Sequence, residues 1–270
     1  MFTGTEFMYD GRLGSEFGLT IVNVTTKDSP QPFGIKREIL ETNRTDGINS
    51  FHGFNQEPME FTVTLARDIE WDYFTRIEVS RWLFQNNYKA LINTDYPDII
   101  YNAVFYGEST IGLVGNIPRY ITLDIRTDAP WGWTEAYEYV YDVDTTMEIE
   151  IENLSNLNQL LYFIEVEVVL ESGNSYEIQF DTDKVYKFMD ATYGSETYLL
   201  DIGETIYVDN KKKIILSDET GKEDIRIKNF IKDGGTKEMS DWFYLIEGTN
   251  DITLVGDAIF TIRIKYPIIA

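Results

Sequence analysis

Carboxylates are the only reactive side chains that this sequence supplies in quantity. Glu148, Glu150 and Glu152 alternate along one stretch, and Glu165 and Glu167 along another. Residues two apart on a strand share a face. Carboxylates paired in that way can serve a glycosidase or bind calcium. The chain has 46 acidic residues among 270, however, so such pairs cost nothing to find, and a solvated outer face accounts for them. No calcium-loop spacing is present. Lys211-Lys212-Lys213 follows Asp209-Asn210 and reads as a solvated hairpin turn. Gly4, Gly11, Gly14 and Gly18 are too scattered for a phosphate loop and open no helix. The chain contains no cysteine, which excludes disulfides, thiolate metal sites and cysteine nucleophiles. Its one histidine, His52, would have to serve any Ser-His-Asp site and rules out a multi-histidine metal site. His52 lies between Phe51 and Phe54 and reads as a packing or interface residue. The expectation is a protein that is not an enzyme and holds no cofactor or metal.

The formal net charge is −23. Residues 1–134 carry 18 acids and 11 bases, a net of −7; residues 135–270 carry 28 acids and 12 bases, a net of −16. The asymmetry points to a chain in two parts. Such acidity repels phosphate, so sequence-specific nucleic-acid binding is not expected, although nucleic acid could pass without adhering. No apolar run approaches the roughly 20 residues that span a bilayer, and MFTGTEFMYDGR lacks the basic and apolar regions of a signal peptide. Neither membrane insertion nor secretion is expected. Hydrophobic residues make up 43%, enough for a core, and 18 Tyr and 16 Phe favour β-structure.

The elements follow from local pattern. Phe2 and Phe7 with the Asp10-Gly11 turn open the chain, and Leu19 to Val24 alternates as a strand. Residues 27–58 are punctuated by Pro30, Pro32, Gly34, Gly47, Gly53 and Pro58. A segment of this kind is either an arm that packs on a neighbouring subunit or an ordinary long hairpin with a flexible tip. Pro32, Gly47, Phe51, His52 and Phe54 are its candidate inter-subunit residues. Glu60–Ala66 is a clear strand. A helix is expected over Trp71–Gln85, with Trp71, Phe74, Val79, Trp82 and Leu83 in one core-facing stripe and acids near its start. Strands at 89–92, 100–105 and 120–125 follow, with a turn at Gly112–Gly115. This half is α+β: a sheet with one helix. Beyond it, ten short strands separated by Ser172-Gly173-Asn174, Asp201-Ile202-Gly203, Asp209-Asn210, Gly234-Gly235 and Glu247-Gly248 describe an all-β sandwich.

The two halves meet at TLDIRTDAPWGWTE, residues 122–135. An alternating strand breaks at Ala129-Pro130, where proline cannot donate to a ladder, and runs into Trp131-Gly132-Trp133. This places domains at 1–130 and 131–270, with Pro130, Trp131 and Trp133 as the inter-domain joint. The other reading is a loop with two core tryptophans inside one larger domain. Tyr186, Tyr193, Tyr198 and Trp242 in the second half raise the alternative of a carbohydrate-binding module, since sandwiches bind sugars through exposed aromatics.

The order of features resembles the distal tail proteins of bacteriophages with long, flexible tails. Glu16-Phe17-Gly18-Leu19 resembles the "dFGL" element near that family's N-terminal opening. Thr45-Asp46-Gly47, Pro58 and Glu60–Ala66 resemble the passage after it, Trp82-Leu83 the helix, and Ile125–Trp133 the segment that ends the first domain. Gly203–Asp209 is similar to the family's "Ge.i.id", and Phe243–Asn250 to its "L..G.N", with a terminal strand ending at Tyr266-Pro267. The resemblance implies a hexameric ring between the tail tube and the host-adhesion device. Its N-terminal domain would form the ring and a galectin-like C-terminal sandwich would lie at the periphery. The implied partners are other copies of itself, the tail tube protein, the tail-tip protein and receptor-binding proteins. The implied location is the virion's tail tip after assembly in the host cytoplasm. A negative lumen would let DNA pass without sticking.

Overall fold

The computed structural model describes residues 6–22, 37–43, 49–157, 162–180, 184–193, 195–219, 229–232 and 242–269. The first elements are β1 (Phe7–Tyr9), β2 (Arg12–Leu13), a 3-10 turn (Gly14–Phe17), β3 (Leu19–Ile21), β4 (Arg37–Asn43), β5 (Asn49–Gln56) and β6 (Glu60–Arg67). Helix α1 (Tyr73–Leu83), β7 (Lys89–Asn93), β8 (Ile100–Val114), β9 (Ile117–Thr127) and β10 (Gly132–Trp133) follow. Then come β11 (Tyr137–Val143), β12 (Thr146–Glu152), β13 (Tyr162–Phe163), β14 (Glu165–Phe180), β15 (Lys184–Met189), β16 (Ala191–Tyr193) and β17 (Glu196–Tyr198). The last are β18 (Thr205–Asp209), β19 (Ile214–Ser217), β20 (Phe230–Lys232), β21 (Tyr244–Leu245), β22 (Thr249–Ile264) and β23 (Pro267–Ile268). Two compact units result: Met1–Glu135 with Pro267–Ala270, and Ala136–Tyr266. The division falls beyond Pro130 because Gly132 and Trp133 are strand residues of the first unit. They pair with Ile268 and Pro267, and Trp133 also with Ile100.

The first unit is an antiparallel sheet in the order β2-β1-β7-β8-β9-β6-β3. Its inward residues alternate as the pleat requires: Val63 and Leu65 on β6, Tyr101, Ala103 and Phe105 on β8, Ile121, Leu123 and Ile125 on β9. Helix α1 closes this face. Asp72 caps it by accepting from the Thr75 amide at 3.0 Å. Trp82 is its anchor. The indole stacks on Phe17 at 4.5 Å and Phe7 at 5.7 Å, and its Nε1 donates to the Tyr9 carbonyl at 2.8 Å. The buried stripe is Val79, Trp82 and Leu83; Phe74, expected in it, is 80% exposed. Five residues at about 100° each carry Phe74 roughly 140° around the helix from Val79, onto the far side. Trp71 is buried as expected but precedes the helix.

The second unit is a sandwich made by two long strands that serve both of its sheets. The second half of β22 and the first half of β14 lie between β11 and β18–β19. The first half of β22 and the second half of β14 lie between β12 and β15–β20. The switch occurs across two successive register shifts, on either side of the pair Ser172–Asp257 and before Glu177–Val255. Gly173 (φ +81°) and Gly256 (φ +122°) allow it. The sequence pattern predicts a turn at 172–174 and separate strands at 251–255 and 259–266; the glycines bend continuous strands instead. Tyr176 of one sheet meets Phe260 of the other edge to face at 5.9 Å, inside a core that holds a void of only about 10 Å³. That void admits at most one water. The expected strand at 225–227 lies outside the described residues.

Candidate functional site

Several of the charged residues singled out above as chemically suggestive are used by the fold. Arg263 Nη1 donates to Glu167 at 2.7 Å and its Nε to Glu138 at 2.6 Å. These bonds, Glu167 first, push the guanidinium's pKa further up. Burial, followed by a hydrogen bond to Glu165, pushes the Tyr207 hydroxyl well above the usual tyrosine range. Lys212 Nζ bonds Asp209 at 2.8 Å and closes the turn after β18. Glu148, Glu150 and Glu152 sit on β12 with Ile149 and Ile151 buried between them. Glu148 and Glu150 border an open polar depression with Gln179, Asp251 and Thr253. Among the described residues no group of three or more His, Asp or Glu is placed to hold a metal ion.

The aromatics suggested for sugar binding divide differently from the expectation. Tyr186 and Trp242 are buried in the sandwich core, 3% exposed each, where ring stacking on Phe230 and Phe243 employs them. Tyr198 is half-buried, and the Tyr193 side chain lies outside the described residues. Burial of Tyr186 and Trp242 removes them from any sugar platform.

Two residues of the Gly-x-Asn passage brace the second unit. Asn250 accepts from the Ile246 amide at 2.8 Å and donates to the Gly248 carbonyl at 3.0 Å. Gly248 holds φ +86° in that turn. Asn210, just after β18, accepts from the Phe243 amide and donates to the Ile164 carbonyl. Sequence reading missed these buried asparagines; a short polar side chain next to a glycine or aspartate turn was the signal.

The exposed surface of the first unit is of another kind. Strands β4 and β5 pair with each other and, among the described residues, with no third strand. An isolated two-stranded hairpin is marginal in water. Phe51 is 60% exposed and Phe54 47%, and Ile39 and Leu40 are exposed on the facing strand. Phe51 and Phe54, three apart, would lie on opposite faces of a regular strand. The register slips between Leu40 and Glu41, so that His52 is the extra residue and Gly53 takes φ +114°. The two rings then meet edge to face at 5.2 Å, with the Arg37 guanidinium 5.5 Å above Phe54. His52 Nε2 lies 2.8 Å from the Thr42 hydroxyl. Pro32 and Gly47 lie outside the described residues. A second projection missed by sequence reading is the tip of β8–β9, where Ile111, Leu113, Val114 and Ile117 are exposed. Its turn is at Gly115-Asn116, both with positive φ, not at Gly112–Gly115 as expected. Gly112 stays in the strand because the Tyr120 ring lies across it, leaving no room for a side chain.

Pro130, Trp131 and Trp133 lie together within the first unit. Pro130 is buried, and the two indoles meet edge to face at 6.1 Å.

Residues 2–129 match the model of a family described as the phage tail protein N-terminal domain. That match spans most of the first unit and is in keeping with the resemblance to the distal tail proteins of long-tailed phages. Over its whole length the chain shares the fold of the Dit protein of phage SPP1. The two are 13% identical with a TM-score of 0.62, covering 96% of this chain and 98% of that one. Dit of SPP1 is described as a paradigm of the hub adsorption apparatus in Gram-positive infecting phages. A chain of the phage p2 baseplate in its activated conformation also matches, at 9% identity and a TM-score of 0.44, covering 96% of this chain and 97% of that one. No curated protein matches in sequence.

Proposed function

We propose that this protein is a structural hub of a phage tail tip: a homo-oligomeric, hexameric ring that joins the tail tube to the tail-tip and host-adhesion proteins. The observation that carries this reading is the β4–β5 hairpin, which pairs with no third strand among the described residues and holds Phe51 and Phe54 outside, on a unit that matches the model of a phage tail family. A closed ring needs one patch and a different complement on the same subunit. The hairpin, with Pro32, Gly47, Phe51, His52 and Phe54 in or beside it, is the first patch. In this reading the first unit, residues 1–135 with 267–270, forms the ring, and residues 136–266 form a peripheral sandwich that docks receptor-binding proteins. Pro130, Trp131 and Trp133 are the joint at which the chain leaves the ring domain. The ring assembles in the host cytoplasm and travels in the virion. Its channel passes DNA without sequence-specific contact, since a subunit of net charge −23 repels phosphate.

Negative-stain microscopy of the purified protein tests this. The expected result is a ring with sixfold symmetry and a central hole. A monomer at high concentration, with the tail tube and tail-tip proteins also present, would overturn it.

A further inference from the structure

The ring reading leaves open what the β4–β5 hairpin binds on the next subunit, and the first unit offers a second incomplete β-structure that answers it. Strand β8 pairs with β7 only as far as Ala103 and with β9 as far as Val114. A bulge between Tyr106 and Thr110 sets off the last five residues, Thr110–Val114, about 17 Å of strand. On the side away from β9 this stretch has no partner strand among the described residues. The opposite edge of the same hairpin is closed. There Pro118 lacks an amide hydrogen, and the Arg119 side chain bonds the Asp68 carbonyl at 2.5 Å.

Exposed edges are normally blunted by charge or proline. From Ser109 to Val114 there is neither, in a chain that is 26% charged. One edge strand of the second unit, β11, differs in carrying Glu138 and Asp142. The exposed β8 tip also shows Ile111 and Leu113, which suit the exposed Ile39, Phe51 and Phe54 of the hairpin. Strand β4 has seven residues and β5 eight, neither with proline, so either can span the five-residue edge.

We propose that the edge Thr110–Val114 of one copy pairs with the β4–β5 hairpin of the next copy, so that β4, β5, β8 and β9 run as one sheet across each subunit boundary. One strand added to a two-stranded ribbon gives it the minimum that is independently stable. The occupant is a second copy, because each subunit has both halves and, among the described residues, does not pair them within itself. A head-to-tail repeat satisfies every pair with no half left over.

This inference rests on the ring reading, and the absence of cysteine provides a test that separates the two. Thr110→Cys is combined in one chain with Glu38→Cys on β4, or with Asn55→Cys on β5. Each double variant is oxidised and run without reductant, and its assembly is followed by native mass spectrometry. The expected result is a ladder of disulfide-linked oligomers in one of the two pairs. The control pair, Val140→Cys with the same hairpin position, gives none. Rings without a ladder in either pair overturn the proposed edge while leaving the ring reading intact. Monomers for the unmodified chain, with tail partners present, overturn both. A ladder of equal strength from the Val140 control shows collision of mobile chains and also counts against the edge.

Discussion

The two units spend their strands in opposite ways. The second unit shares β14 and β22 between two sheets, so each long strand is paired along most of its length and bent where a glycine permits. The first unit has one main sheet, a hairpin paired with nothing else described, and a strand that outruns its neighbour. Of the large hydrophobic residues exposed among those described, 16 lie in the first unit and 8 in the second, although the units are of similar size. A contiguous exposed apolar surface marks an interaction site. On the proposed reading, folding is finished within the second unit, whereas in the first it is finished by the next copy.

Four changes probe that contrast. The largest effect is expected from Trp82→Ala. It removes the stacks on Phe7 and Phe17 and leaves a cavity, at a cost of about 3–5 kcal/mol. Denaturant unfolding should show an early transition from the first unit and an unshifted one from the second; a common shift would mean that the units unfold as one. Alkali comes next. Burial, then the Asp10 carboxylate, pushes Tyr9 up to about 12 from 10.0. The unfolded chain therefore ionises first, and stability present below pH 10 is lost between pH 10 and 12, by about 2–3 kcal/mol in total. In the second unit, Tyr207 and Tyr266 are also held above the usual range, burial being the main cause. Its loss should therefore extend to higher pH, which tyrosinate absorbance and unfolding at stepped pH will follow.

Gly256→Ala is the counterpart of Trp82→Ala in the second unit. A Cβ there would lie 3.0 Å from the Tyr176 Cβ and 3.1 Å from the Ser175 carbonyl, at φ +122°. The cost should be about 1–3 kcal/mol and fall on the second unit alone, as read by its thermal transition. The smallest stability effect, within about 0.5 kcal/mol, is expected for Phe51→Asp with Phe54→Asp, since both rings are outside. The same variant should lose assembly in size-exclusion chromatography. Retained rings would move the interface elsewhere.

The α+β and all-β character of the halves was legible because alternation along stretches such as Glu60–Arg67 and Thr205–Asp209 is a local signal. Tertiary features were less so. Phe74 was counted into the helix stripe by hydrophobicity, although its angular position sends it outward. Gly112 and Gly173 read as turns and Gly256 as a gap between two strands, yet each lies within a continuous strand, and only the neighbours Tyr120 and Tyr176 explain two of them. Phe51 and Phe54 could be named from the sequence, but that they share one face depends on the slip at His52. The free edge of β8 has no sequence signature at all, because it is defined by where β7 stops.

The pairing of β10 with β23 has a consequence in time. Gly132 and Trp133 reach their partners Ile268 and Pro267 only after Ala136–Tyr266 has been made. At about 5–20 residues per second those 131 residues take roughly 7 to 26 s to synthesise. Throughout that interval the nascent first unit lacks its last strand, and the second unit lacks β22, on which β11, β12 and β14 all pair. Both units are therefore completed together, by the last two strands of the chain.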